Sequence, residues 1–290
     1  MRVGPSTFFA TVAVSASLAV AQESEGPLAE VPETIYGPPP LQTPGTGFND
    51  GAVGFAASAI YSTDYVFRGL EIVEAVTNED AANLGITAEL AFDLGRLPDP
   101  FVRVRTNTAG GDDVSNFQVI RPTVGFSWET DLFEFVVAHQ SFTYPDRNEL
   151  DSAEIFIELD VNDAALGDGE GKLVGPYVFA AYDYDSFEGT YVEFGARRNE
   201  RIGESSLSLG YEGHVAYVDN LEGLFGGSGS GFQHYQFGLL AAYELNTLLN
   251  ISRRYGKWTL GGQVYYTDGI DNDLAADTQI WGGGGISFAY

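Results

Sequence analysis

The chain has 290 residues, with 14 basic against 41 acidic side chains, a formal net charge of −27 and no cysteine. Such acidity argues against nucleic acid as a partner. The lack of cysteine excludes a disulfide scaffold and, with no paired histidine spacing, argues against a transition-metal site. Thirty-six glycines, 16 tyrosines and 20 phenylalanines suit many short strands and turns better than helices.

Residues 1–21 read as a secretory signal peptide: Arg2 is the only charge, an Ala- and Ser-diluted apolar run follows, and Ala19-Val20-Ala21 offers a small-x-small cleavage site. The run falls short of the roughly 18 to 20 apolar residues of a membrane helix, and no other segment approaches that length. Residues 22–50 hold six of the twelve prolines, five acids and no basic residue. They read as an acidic, proline-rich spacer that cannot build a core.

From Gly51 the period of the apolar pattern is two. "IYSTDYVFRGL" (Ile60 to Leu70) reads as a first strand, with Tyr61, Thr63, Tyr65 and Phe67 on one face and Asp64 and Arg68 on the other. In the second, Leu84, Ile86, Ala88, Leu90 and Phe92 alternate with Thr87, Glu89 and Asp93. The third sets Val102 and Val104 against Arg103 and Arg105, and the fourth sets Ile120, Val124, Phe126 and Trp128 against Arg121 and Thr123. The sixth sets Ile155, Ile157 and Leu159 against Glu154, Glu158 and Asp160. Further segments near 132–143, 174–184, 189–198, 206–217, 234–244, 257–266 and 279–290 bring the expectation to twelve strands. Each has about 9 to 14 residues, the length of a tilted membrane strand.

A soluble sandwich also alternates, but three features favour an antiparallel up-and-down transmembrane barrel, residues 51–290. The apolar faces are long and tipped with aromatics, glycine is frequent within strands (Gly282 to Gly285), and the chain ends "GISFAY" with Ile286, Phe288 and Tyr290 on one face. That ending resembles the C-terminal signal read by the outer-membrane barrel assembly machinery. Pro176 can start a strand; Pro122 calls for a bulge or a water-exposed strand end.

"STDYVFRG" (Ser62 to Gly69) closely resembles the first-strand signature of the TorF-like porins, a Gram-negative outer-membrane family. The likeness continues in "FTYPDRNELDSAEIFIEL" (Phe142 to Leu159) and "YDYDSFEGTYVEFGAR" (Tyr182 to Arg197). The resemblance implies a porin-like barrel in the cell outer membrane and names no solute.

With both termini in the periplasm, the odd-to-even connections face outside, and Arg147 is the only basic residue in the loops read as the mouth. The periplasmic turns hold Arg96, Lys172, Arg201, Arg253 and Arg254. An acidic mouth concentrates cations over roughly a Debye length, about 8 Å. The pore-lining candidates are Asp64, Arg68, Glu89, Asp93, Arg103, Arg105 and Arg121. Asp64 and Arg68 lie about 13 Å apart along a strand, too far to pair, so Arg68 is expected to meet Glu89 or Asp93 on a neighbouring strand, and Arg103 or Arg105 to meet the same acids. The reading is a passive channel for small hydrophilic solutes, needing no cofactor. Its partners are outer-membrane lipid, lipopolysaccharide and the assembly machinery. Two rivals stand beside it: a non-conducting structural barrel, and an outer-membrane lipid acyl hydrolase built on His139 and Ser141. The Asn-Gly that usually follows that pair is replaced by Phe142-Thr143. The acids of Asp268 to Asp273 could hold calcium loosely.

Overall fold

Twelve antiparallel strands hydrogen-bond in sequence around a closed ring. This computed structural model describes residues 52–77, 81–110, 117–145, 147–162, 174–203, 205–220, 229–274, 276 and 278–290. The signal peptide, the spacer, Lys172 and much of the loops at 109–115 and 219–231 lie outside the described residues. The wall is made of β1 (Val53–Ser62), β4 (Asn83–Phe92), β5 (Asp99–Ala109), β6 (Gln118–Glu129), β7 (Phe133–Phe142) and β8 (Ser152–Val161). It continues with β9 (Pro176–Asp183), β10 (Thr190–Arg201), β11 (Leu207–Asp219), β12 (Gly231–Glu244), β13 (Lys257–Gly269) and β14 (Gln279–Ala289). Two tiny strands, β2 (Val66–Phe67) and β3 (Leu70–Glu71), and helix α1 (Ile72–Thr77) lie between β1 and β4. Helix α2 (Leu245–Leu249) follows β12.

The alternation predicted from sequence is the alternation of the wall. On β4, Leu84, Ile86 and Leu90 are exposed outward while Asn83, Thr87 and Glu89 are buried inward. On β8, Ile155, Ile157 and Leu159 point out, and Glu154, Phe156, Glu158 and Asp160 point in. An apolar exterior over a polar interior suits a bilayer: every backbone group of a closed barrel is paired within the wall, so no sheet edge meets hydrocarbon.

Closure falls between β1 and β14, where Ala56 pairs with Ala289 and Ser62 with Gly283. Phe55 and Tyr290 extend the seam, exchanging backbone hydrogen bonds of 2.8 Å each. On the outside of this end the rings of Phe55 and Trp258 pack on Phe288 at 6.2 and 4.7 Å, and Phe288 stacks on Tyr290. Inside, two glycines make room for aromatic rings. A Cβ on Gly195 would lie 2.4 Å from its cross-strand partner Tyr177, and one on Gly238 would lie 2.1 Å from its partner Tyr265. These rings lie flat against the wall because their partners have no side chain.

Two expectations need correction. The first strand ends at Ser62 rather than running to Leu70. Tyr65 and Phe67, read as lipid-facing, are 4% and 5% exposed inside the barrel. The period-two pattern stayed apolar across a turn, so parity was carried past the point where the strand stops. Pro122 makes neither a bulge nor a strand end. It stays in register with Val104 of β5. On its other side the β6–β7 ladder stops at Thr123–Gln140 and resumes in the same register at Ile120–Thr143. The missing N–H is absorbed by a short gap in the ladder. Pro176 starts β9, as the sequence suggests.

Candidate functional site

The connection from β1 to β4 folds back into the barrel mouth. Phe67 pairs with Leu70 across Arg68 and Gly69, which have φ of +54° and +78°. Positive φ at both central residues is the condition of the tightest hairpin turns. For Arg68 it is strained, whereas glycine adopts it freely. Gly69 is also required by space, since a Cβ there would lie 2.6 Å from the His234 ring. The hairpin tip therefore rests against β12. Its root is held by Tyr65, Phe67, Leu70, Ile72 and Val73, which form one buried cluster with Phe117, Phe142 and Tyr144. Phe67 meets Phe142 edge-on at 5.5 Å.

At the tip, the Arg68 guanidinium donates to the Glu154 carboxylate of β8 at 2.5 Å. Its flat face lies over Tyr191 at 4.6 Å and Phe67 at 5.0 Å. Arg68 thus ties the loop to the far wall through one ion pair and two rings, both favourable for a guanidinium. The expected partners, Glu89 and Asp93, are not the ones it meets. Glu154 is 86 residues away, and sequence distance gives no hint of it.

The other candidates make separate contacts. Arg103 and Glu89 do pair across β4 and β5: they are register partners, with Arg103 nitrogens 2.6 and 2.7 Å from Glu89 Oε2. Arg121 is buried, donates to Asn107 Oδ1 at 2.8 Å and sits beneath the rings of Tyr65 and Phe67. Arg105 donates to Thr87 at 3.1 Å. Asp64 stands in the half-buried approach to the hairpin and accepts a hydrogen bond from Thr63. Asp93 lies in the exposed turn after β4 and accepts the Gly95 N–H at 2.7 Å.

Sequence reading missed the opposite half of the interior. Arg197 of β10 reaches across β9 to β8, donating to Asp160 at 3.0 and 2.5 Å and also to Glu158, with its face over Tyr177 at 4.5 Å. Glu193 accepts from Tyr191 at 2.7 Å and Tyr177 at 3.3 Å. His214 and His234 approach at 3.3 Å between ring nitrogens. The parity of Glu158, Asp160, Glu193 and Arg197 was readable; their convergence was not. Most of these side chains are under 5% exposed, among them Arg121, Glu154, Glu158, Glu193 and Tyr191. A water-wide lumen would leave them accessible, so with the hairpin in place the barrel is filled.

Above the hairpin, at the end away from the termini, a small pocket opens outward, walled by Phe67, Phe142, Tyr144, Phe187 and Tyr191, with Arg68 and Asp183 among its polar groups. Burial pushes the Tyr144 phenol up from its ordinary value, so its ring stays neutral.

His139 and Ser141 are on the outer face of β7. His139 is the register partner of Val124 and Ile155, two outward apolar residues, and its Nε2 lies 2.6 Å from Tyr184 Oη. The nitrogen that would take a serine proton is thus engaged with a phenol. Asp268 is occupied by Tyr235, Tyr266 and Thr278 hydroxyls. Among the described residues no group of three or more His, Asp or Glu is placed to hold a metal.

No protein-family model and no curated protein matches the chain. Its fold is similar to solved barrels of very different sequence. LpxR from Salmonella typhimurium shares 9% identity at a TM-score of 0.48, over 80% of this chain and 99% of that one. A NanC porin shares 8% at 0.46, over 81% and 98%. An outer membrane channel from Pseudomonas putida F1 shares 10% at 0.45, over 82% and 94%. At these identities and scores the likeness is one of barrel shape and carries no activity, substrate or partner to this chain.

Proposed function

We propose that the protein is a porin-like channel of the bacterial outer membrane, of the TorF-like kind. It would pass small hydrophilic solutes, prefer cations, and be held shut by its in-folded β1–β4 connection. The observation that carries this reading is the Arg68–Glu154 ion pair, 9% and 1% exposed, which fastens the hairpin across an interior built from charged and polar side chains. Breaking a buried pair is costly, yet replacing one with apolar packing is often neutral or stabilising, so a barrel with only a structural role has little need of one. Movement of the hairpin would uncover Arg68, Glu154 and Arg121, opposed charges that set a transverse field in a pore. The exported, apolar-belted barrel supports the location. The acidic loops, Glu74, Glu149 and Asp185 among them, support the cation preference through the field at the mouth.

The test is a reversal-potential measurement on the purified protein in planar bilayers under a potassium chloride gradient. Cation-selective openings support the reading. Anion selectivity removes the cation preference, and bilayers that stay silent under all voltages favour the non-conducting barrel. Wild-type hydrolysis of a phospholipid ester would instead favour the enzyme.

A further inference from the structure

The two halves of the interior are built differently. On the β7–β11 side large buried side chains occupy the lumen, Phe156, Phe179, Tyr177 and Arg197 among them. Across β4, β1, β14 and β13 the inward side chains are small. Thr87, Ser58, Ser287 and Thr259 are register partners in one lateral row, all buried. The next row outward holds Gly85, Ile60, Gly285 and Gly261, so Ile60 is its one bulky member. A Cβ on Gly285 would lie 2.2 Å from the Ala59 carbonyl oxygen, so no side chain can stand there. Within this strip Ser287 Oγ and Thr259 Oγ1 find no hydrogen-bond partner, although the two residues are 2% and 3% exposed and face one another across the ladder. Asn83 Oδ1, nearer the outer end, is unpartnered in the same way. Buried polar atoms of this kind are satisfied by water where a polar space holds it. On β5 and β6 the hydroxyl row runs on into Arg105 and Arg121. Towards the outside, Val66 of the hairpin packs with Tyr265 and Trp281, whose rings stack at 4.4 Å.

We infer that the path uncovered by the hairpin runs along this strip, over the hydroxyls of Ser58, Ser287 and Thr259, and not through the half filled around Arg197. The inference rests on the channel reading above and adds the route and its chemistry. Hydroxyl and amide groups exchange hydrogen bonds with water and with small hydrophilic solutes, and they replace part of the water around a monovalent cation. The route also needs the smaller rearrangement. Withdrawing the hairpin takes Val66 off the Tyr265–Trp281 stack and exposes the strip beneath it. Opening the other half would break the buried contacts of Arg197 with Glu158 and Asp160 and strand their charges.

The chain has no cysteine, so a single introduced cysteine reports on one position. Ser58→Cys and Ser287→Cys probe the strip, and Ala138→Cys probes the filled side, where Ala138 lies in one buried cluster with Phe101 and Phe156. Each full-length protein is reacted in detergent micelles with 2-aminoethyl methanethiosulfonate, with and without Glu154→Gln, and labelling is followed by mass. The strip positions are expected to label roughly tenfold faster than Ala138→Cys, as positions reached by local opening and not by unfolding, and faster still with Glu154→Gln. In planar bilayers the label on Ser287→Cys should lower the conductance of each opening. Heat-modifiable migration on gels shows that a variant folds, and either strip position serves if the other does not fold. Ala138→Cys labelling as fast as the strip, strip cysteines that label only after unfolding, or openings unaltered by complete labelling of Ser287→Cys overturn the route and leave the channel reading standing. Fast strip labelling with silent bilayers supports the strip as the wet side of the barrel and removes the channel, so the two failures are told apart.

Discussion

Arg68 and Glu154 meet 2.5 Å apart inside the barrel, one at the tip of a two-residue turn and the other on the far wall, 86 residues along the chain. The arginine holds a left-handed backbone, φ +54°, that a residue with a Cβ adopts at a cost of roughly 1–2 kcal/mol. The ion pair and the Tyr191 and Phe67 faces offset that cost. Arg68→Ala removes all three and strands Glu154. We expect a loss of roughly 3–5 kcal/mol, read as a lower urea midpoint in micelles. Glu154→Gln keeps an acceptor and should cost less. Equal midpoints for Arg68→Ala and wild type would mean that the clasp contributes nothing.

The two faces of β8 make a second prediction. Ile157 is 45% exposed on the outer face and Phe156 is 3% exposed beside it. Ile157→Arg places a cation in the hydrocarbon near mid-strand, at roughly 2–4 kcal/mol. It should cut the fraction of heat-modifiable protein recovered from outer membranes. Normal assembly of Ile157→Arg would contradict the assigned exterior.

The chain end should matter more than the spacer. Deleting Phe288 to Tyr290 removes the paired hydrogen bonds between Tyr290 and Phe55 and the tilted ring contact of Phe288 with Trp258. Assembly should fall sharply, whereas deletion of residues 22–45 should leave it near wild type. Equal yields of the two proteins would overturn this assignment of roles.

His139→Ala and Ser141→Ala should both leave esterase activity at background, because the imidazole Nε2 is engaged by Tyr184 on an apolar outer face. An activity present in the wild type and lost in Ser141→Ala would restore the hydrolase reading.

How much of this was legible in the sequence depends on locality. The wall was legible, since β4, β6 and β8 each carry a row of apolar residues at every second position, which fixes one face outward. Glu89 and Arg103 were legible too: they sit at matched positions of consecutive strands, where register brings them together. The in-folded hairpin was not. Arg68-Gly69 is a tight turn whose flanks, Tyr65 to Phe67 and Leu70 to Val73, are as apolar as the strand before them, so periodicity gave no break. Glycine at 69 was the available signal, but arginine before it is not the usual asparagine or aspartate of such turns. Arg197 and its acids were hidden differently. Their parity was plain, yet a side chain that crosses an intervening strand obeys no pairing rule.

The central claim is that the hairpin closes the lumen and that Arg68 with Glu154 keeps it closed. Single-channel recording in planar bilayers tests it most directly, comparing wild type with Glu154→Gln and with a chain lacking residues 64–80. The account predicts small, rare openings for wild type, more frequent openings for Glu154→Gln, and a steady, larger, cation-selective conductance for the deletion. A folded deletion protein as silent as wild type, or a wild type already conducting at the level of the deletion, would contradict it.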